Sequence, residues 1–331
     1  MKKRKRKKVN FLTPFFGEVQ GKMPSYMTDF FCEALGKDNI KFGKNLSNSD
    51  LNFIYPIEYY PTRELNNVIF FGPDSILLLF KRALISREQF FFIKILSLLR
   101  FLQYKVVYRM LNKNVPIITV GQDDAKDFLS RGFRKVFYLR HPVEPASKIR
   151  REIVEKDHFV IGISGSLGKF NKFYCGKWYQ YLMQTLSKRD FSKKIQFSLL
   201  GSHYSKLATA LRDLGYTVYL DDWVDDYDDF IQSIDIYMSL LAVGAGTKNR
   251  VLAANAAGLR VIGTPFALEN VDCNGNLSVS KPQGLEEVIE KVCHLKNPFL
   301  SKDDHHSFVA LHEREACLKK AREVFKKFGS R

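Results

Sequence analysis

Cysteine is scarce and scattered. Cys32, Cys175, Cys273, Cys293 and Cys317 are odd in number, and no two stand in CxxC spacing. That excludes a zinc ribbon or dithiol redox motif and argues against a disulfide framework, so reduced thiols are expected. Tryptophan is rarer still, with 2 residues against 28 Phe, and the phenylalanines crowd into the N-terminal part. Long apolar runs are missing. The most apolar stretch, Ile76 to Leu111, is broken by Lys81, Arg82, Arg87, Glu88, Lys94, Arg100, Lys105 and Arg109. A spanning helix needs about 20 apolar residues with few charges, so none is expected. A secretory signal is missing too. The basic run Lys2 to Lys8 is followed only by Val9 to Phe16, which Asn10, Thr13 and Pro14 interrupt, so the chain reads as cytoplasmic. Neither GxxxxGK[ST] nor GxGxxG spacing occurs, and the P-loop ATPase and dinucleotide dehydrogenase readings lose their support. Acid is in short supply: 35 Asp+Glu against 52 Lys+Arg leave a formal charge of +17. A surplus of that size points to a polyanionic partner, whether nucleic acid, an anionic membrane or phosphorylated small molecules.

What is present is a packable chain, 45% hydrophobic and long enough at 331 residues for two domains. Strand-like and helix-like segments alternate. Val9 to Thr13, Leu51 to Tyr55, Asn67 to Phe71, Pro116 to Val120 and Lys135 to Leu139 read as strands. Met23 to Leu35, Ile85 to Leu111 and Asp123 to Arg131 read as helices. His141-Pro142-Val143-Glu144-Pro145 reads as a hinge, since two prolines block either element. A second series follows. Its strands are Phe159 to Ser164, Ile195 to Leu200, Thr217 to Leu220, Asp235 to Leu240 and Arg260 to Gly263. Its helices are Tyr174 to Ser187, Lys206 to Leu214, Asp226 to Ser233 and Lys248 to Ala257, with one tail helix over Phe308 to Phe328. Such alternation implies parallel sheets with crossover helices.

Two glycine loops in the second series suit a phosphate. Gly162-Ile163-Ser164-Gly165-Ser166-Leu167-Gly168-Lys169 closes a strand, and Lys169 or Lys172 can add charge. Gly244-Ala245-Gly246-Thr247-Lys248 enters a helix, whose N-terminus carries about half a positive charge and unpaired N–H donors. Thr247 reads as an N-cap or a phosphate donor, and Lys248 as a full charge. Each loop alone is equally consistent with glycines that make tight turns.

The stretch from Ile161 to Pro265 also resembles a known family. Gly244-Ala245-Gly246-Thr247-Lys248-Asn249-Arg250-Val251-Leu252, followed by Ala256-Ala257-Gly258-Leu259-Arg260-Val261-Ile262-Gly263-Thr264-Pro265, resembles the donor motif of group 1 (family 4) glycosyltransferases. The branch whose motif begins GAGxKN is most similar. Ile161 to Lys172 is similar to that family's first glycine loop. Phe197 to Gly201 is similar to its central strand and glycine, and Leu220 to Val224 with Asp235-Ile236-Tyr237 to the stretch that follows. Val115 to Asp127, Val136 to Val143 and Asp74 to Leu77 match more loosely.

The resemblance implies an α/β chain of GT-B architecture, two Rossmann-like domains facing a central cleft. The boundaries are a basic tail 1–8, an acceptor-side domain 9–143, a nucleotide-sugar domain 144–307 and a C-terminal helix 308–331. It implies a donor diphosphate held by Gly165, Ser166, Lys169, Gly244, Ala245, Gly246, Thr247 and Lys248. Gly201, Trp223 and Val224 would lie at the base, and Gly17 and Gly21 would line the cleft from the first domain. Transfer would be retaining and metal-independent, with no cofactor, from a nucleotide-diphosphate sugar to a lipid-linked or cell-surface glycan precursor. The catalytic group is not assigned. In the family, glutamates usually occupy the positions of Ala245 and Ala253; the first is commonly lost in the branch that this chain resembles, and the second normally bonds the donor ribose. Alanine has no acceptor, and Glu269, after Thr264-Pro265, is a nearby acidic residue. A non-catalytic paralogue and a nucleotide-sugar epimerase are the alternative readings.

Other clusters have plainer explanations. Asp221 to Asp229 carries many acids between a strand and a helix, where they favour a helix N-terminus. Asp303 or Asp304 reads as a cap before the tail helix, and His305, His306 and His312 fit no zinc spacing. At about 100° per residue, Arg87, Lys94, Lys105 and Arg109 fall within a sector of roughly 60°. Phe91, Leu98 and Leu102 form no clean opposite stripe, so this helix reads as apolar on two sides. A basic face with Phe and Leu, together with Lys2 to Lys8, suits an anionic membrane surface, peripheral at its inner face. Nucleic acid is not expected, because no base-reading module is visible.

Overall fold

The structure, a computed structural model of the chain, describes residues 9–12, 23–36, 40–42, 51–55, 68–143, 146, 149 and 157–329. The backbone divides into two compact units. Unit 1 holds 1–78, 99–142 and 312–331, and unit 2 holds 79–98 and 143–311. The division at 142/143 lies one residue from the sequence boundary. Residues 79–98, however, group with unit 2, and the last helix groups with unit 1.

In chain order, the first unit contributes β1 (Val9–Leu12), α1 (Met23–Leu35), β2 (Ile40–Phe42), β3 (Leu51–Ile54) and β4 (Val68–Phe71). Next come α2 (Ile76–Ile85) and α3 (Phe91–Met110), each divided between the units, then β5 (Ile117–Thr119), α4 (Gln122–Ser130) and β6 (Val136–Tyr138). Among the described residues, six parallel strands form one sheet in the order β2-β1-β3-β4-β5-β6. Phenylalanine builds its core. Phe30, Phe31, Phe53 and Phe71 are buried together, with Phe31 and Phe71 rings 4.6 Å apart edge to face. The helix over 85–111 is shorter than its sequence suggests, beginning at Phe91. A separate helix, α2, precedes it. Ser75 starts α2, its Oγ accepting from Leu78 N at 3.2 Å. Two buried aspartates of α4 fix that start: Asp124 accepts from Ser75 N and Asp127 from Ser75 Oγ, both at 2.6 Å.

Unit 2 continues with β7 (Phe159–Ser164), α5 (Lys169–Cys175), α6 (Trp178–Lys188), β8 (Ile195–Leu200), α7 (Ser205–Asp213), β9 (Val218–Asp221) and α8 (Tyr227–Ser233). It ends with β10 (Ile236–Ser239), α9 (Asn249–Ala256), β11 (Arg260–Gly263), α10 (Pro265–Leu268), β12 (Leu277–Ser278), α11 (Gly284–Cys293) and α12 (Lys302–His312). Its sheet is also parallel, ordered β12-β11-β10-β7-β8-β9. Ile161, Ile163, Phe197, Leu199, Ile236 and Ile262 are buried in one core with Trp178 and Leu182. The helix expected over 174–187 is two helices, because Gly176 adopts φ 54 and ends α5. The expected single tail helix is also two, α12 in unit 2 and α13 (Arg314–Gly329) in unit 1. α13 packs on α1: Leu318, Ala321 and Phe325 are buried with Phe30 and Phe31, and Arg314 bonds Glu33 at 2.9 Å. The cap of α12 is Ser301 rather than an aspartate, its Oγ accepting from Asp304 N at 3.0 Å.

Candidate donor site in the second unit

Numbered from β7, the strands of unit 2 run 6-5-4-1-2-3, so the order reverses between β7 and β10. Ligands of open α/β sheets bind beyond the carboxyl ends of the strands at such a reversal. The two glycine loops leave β7 and β10, so the topology brings them to that point.

The first loop is tightly tied down. Gly165 has φ 132 and Gly201 φ 117, conformations that favour glycine. A Cβ on Gly201 would lie 1.7 Å from Gly165 O, so the backbones after β7 and β8 touch where no side chain fits. Leu167 N donates to Ser202 O at 3.0 Å. The Ser166 hydroxyl accepts from Ser202 Oγ at 2.8 Å and from Gly168 N at 3.2 Å. At the base of the loop, Ser164 Oγ meets Tyr227 OH at 2.9 Å and Tyr237 OH at 3.0 Å. Lys169 opens α5, and its side chain lies outside the described residues.

The second loop is held through three successive carbonyls. Arg82 Nη1 donates to Gly244 O at 2.7 Å, and Lys248 Nζ donates to Ala245 O at 2.5 Å and to Gly246 O at 3.1 Å. Asn270 Nδ2 donates to Gly246 O at 3.1 Å. Lys248 therefore braces the loop, and it is also the N-cap residue of α9, without a side-chain cap bond. The cap position is not Thr247, which is half-buried one residue earlier. Ala245 is buried with Leu79, Ala83 and Val243, so there is little room for a longer side chain at this position. Ala253 is half-buried on α9. Glu269 does not stand alone: Arg82 grips its carboxylate at both oxygens, at 2.8 and 2.7 Å, with side chains only 11% and 13% exposed. The same guanidinium lies 5.2 Å from the Phe266 ring centroid.

Two residues were missed by sequence reasoning. Arg250, exposed in the first turn of α9, places Nη1 3.5 Å from Ser164 O, and a Cβ on Gly165 would come 2.5 Å from it. This guanidinium from the second loop's helix therefore lies against the first loop. The signal was present as the second cation in Lys248-Asn249-Arg250. Asn249 Oδ1 is buried beside it with no hydrogen-bond partner among the described residues. Of the base candidates, Gly201 and Val224 are half-buried and Trp223 is 79% exposed, following β8 and β9. Gly17 and Gly21 lie outside the described residues. The acidic run caps a helix: Asp226 Oδ1 accepts from Asp228 N at 2.9 Å at the start of α8. His305 bonds Ala256 O and His312 bonds His141 O, both at 2.8 Å, so these imidazoles tie backbone together.

No protein-family model and no curated protein matches the sequence. Solved structures do match the backbone. A glycosyltransferase from Rickettsia africae ESF-5 is 11% identical, with a TM-score of 0.64 over 98% of this chain and 99% of that one. Anabaena Alr3699/HepE in complex with UDP-glucose is 12% identical, with a TM-score of 0.63 over 97% and 99%. The lipopolysaccharide outer core galactosyltransferase WaaB is 11% identical, with a TM-score of 0.60 over 97% and 99%. The fold is GT-B. A GT-B chain at this level of identity shares architecture with these enzymes, and its chemistry must be argued from its own residues.

Proposed function

We propose that the protein is a glycosyltransferase that takes a sugar from a nucleoside-diphosphate donor bound in unit 2. One observation carries the reading: the Gly165 loop, the first turn of α9 and the Arg250 guanidinium meet beyond the carboxyl ends of β7 and β10. The N–H groups at a helix N-terminus and a planar guanidinium suit a diphosphate. During transfer, negative charge grows on the leaving diphosphate, and donors fixed beforehand stabilise it without reorganisation. Lys248 and Arg82 contribute by fixing the second loop, and Arg250 by direct contact. Gly165, Ser166, Gly244, Ala245, Gly246 and Thr247 supply the surrounding backbone, with Lys169 at the start of α5. Gly201, Trp223 and Val224 flank the base, with Gly17 and Gly21 on the acceptor side. Transfer is retaining and needs no metal, and the acceptor is a lipid-linked or cell-surface glycan precursor met at the inner face of a membrane. Because HepE binds UDP-glucose, uridine diphosphate sugars are the first donors to test.

The experiment is a thermal-shift screen of nucleotide sugars followed by product analysis with glycan acceptors. Stabilisation by a nucleotide sugar but not by its nucleoside supports the reading, and no stabilisation by any diphosphate refutes it. A second reading has one observation in its favour. Ala253 offers the ribose no acceptor, and Glu269 is gripped by Arg82. A non-catalytic paralogue would bind a donor without hydrolysing or transferring it.

A further inference from the structure

α3 is a 20-residue helix, about 30 Å long at 1.5 Å per residue. One side is in the core: Ser97 and Tyr108 are buried, and Phe101 and Tyr104 pack against the buried cluster around Phe128. The opposite side is apolar and bare. Phe91 is 79% exposed, Phe92 67%, Leu99 60%, Val106 56% and Leu102 51%, with Ile95, Leu96, Leu98 and Met110 all above 40%. At about 100° per residue these nine positions fill one sector of roughly 160°, centred opposite Ser97 and Tyr108. Scattered apolar side chains are normal on a surface, but a continuous strip of this size marks an interaction site.

The charges around the strip indicate what covers it. α3 contains no Asp or Glu. Lys94 and Lys105 border one edge of the strip and Arg100 the other, while Arg109 and Gln103 lie within its C-terminal half. Long basic side chains at the edges of an apolar strip can reach the headgroup level while their stems and the strip lie in the acyl boundary. A protein interface core, by contrast, is depleted in lysine. No helix among the described residues is long and apolar enough to cross a membrane, so α3 would lie on the surface rather than span.

We propose that α3 is an interfacial membrane helix, which inserts the strip of Phe91, Phe92, Ile95, Leu99, Leu102 and Val106 into an anionic bilayer. The inference concerns residues other than those of the donor site and stands whether or not the protein transfers a sugar. Insertion adds to the attraction of the basic run at 2–8, and the two differ in salt dependence. Charge attraction fades as the Debye length falls from about 10 Å at 0.1 M to about 3 Å at 1 M, whereas apolar burial does not.

The test is co-sedimentation of the full chain with phosphatidylcholine vesicles, with and without phosphatidylglycerol, at low and high salt. The expected result is preference for the anionic vesicles, with a bound fraction that survives high salt. The triple variant Phe91→Ser, Phe92→Ser, Leu99→Ser should lose that fraction and partition at least about tenfold more weakly, from the apolar area withdrawn. Its circular dichroism should not change, since the three side chains are exposed. A Phe92→Trp variant should shift to the blue on vesicles and be quenched by brominated acyl chains. Equal binding by the triple variant and the parent, or no quenching, would overturn the proposal. A lipid-independent dimer that the triple variant dissociates, with vesicle binding intact, would overturn it in favour of a second copy. Nucleotide-sugar stabilisation of the triple variant is measured in parallel, so failure here is distinguishable from failure of the donor assignment.

Discussion

Arg82 is one of the side chains that hold the second glycine loop, with Lys248 and Asn270. It grips Glu269 at both carboxylate oxygens, donates to Gly244 O at 2.7 Å and lies against Phe266. With 11% and 13% of the side chains exposed, the pair is nearly out of water. Removing one partner of a buried pair costs about 3–5 kcal/mol, because the remaining charge is left without compensation. Some solvent reaches this pair, so Arg82→Met should cost unit 2 about 2–4 kcal/mol, of which the ring contact is about 0.5–1. Arg82→Met, Glu269→Met together should recover at least about half of that loss, since an apolar pair of similar volume leaves no stranded charge. Gly244 O stays without its donor, so recovery is incomplete, and nucleoside diphosphate affinity should fall in both variants. The chain offers a convenient assay. Its 2 tryptophans, Trp178 and Trp223, both belong to unit 2, so tryptophan emission during urea unfolding follows that unit. A loss below about 1 kcal/mol for Arg82→Met would refute the reasoning, as would a double variant whose loss equals the sum of the singles.

Arg250→Ala should weaken nucleoside diphosphate binding by about 1.5–3 kcal/mol, the range for hydrogen bonds to charged groups, while leaving nucleoside binding and stability nearly unchanged. Titration calorimetry with both ligands checks this, and equal diphosphate affinity removes Arg250 from the site. Ala253→Glu should leave donor affinity unchanged or lower it, by bringing a carboxylate beside a formed site. Clear tightening in the same titration would mean that the ribose lacks an acceptor. Burial holds His141 neutral, its pKa lowered from 6.5 to about 4 by desolvation and further disfavoured by His312. The unfolded chain therefore binds more protons between those values. The stability that His141 contributes is complete above pH 6.5 and is lost as pH falls toward 4, by at most about 3 kcal/mol. Amide-exchange protection of β5 and β6 should follow that limb, and His141→Gln should flatten it.

The sequence by itself determined the order and type of most elements, because alternating apolar runs and glycine turns carry a local signal. It placed β7, β8, β10 and α9 within a few residues, and it identified both glycine loops, whose small residues are needed wherever backbones touch, as at Gly165 and Gly201. Tertiary structure decided the rest. Lys248 begins a helix, as its place behind the glycines suggests, but only the fold shows that its ammonium also bonds the loop carbonyls and that Arg250 reaches the first loop. Glu269 is close in sequence to the second loop, but its partner Arg82 is remote in sequence and is brought to it only by the fold. The periodicity of α3 predicted apolar residues on two sides, yet periodicity cannot say which side the core will cover. Only packing around Tyr108 and Phe128 left Leu99, Leu102 and Val106 facing outward. A residue's type and spacing are local properties, whereas its partner is set by the chain that folds against it.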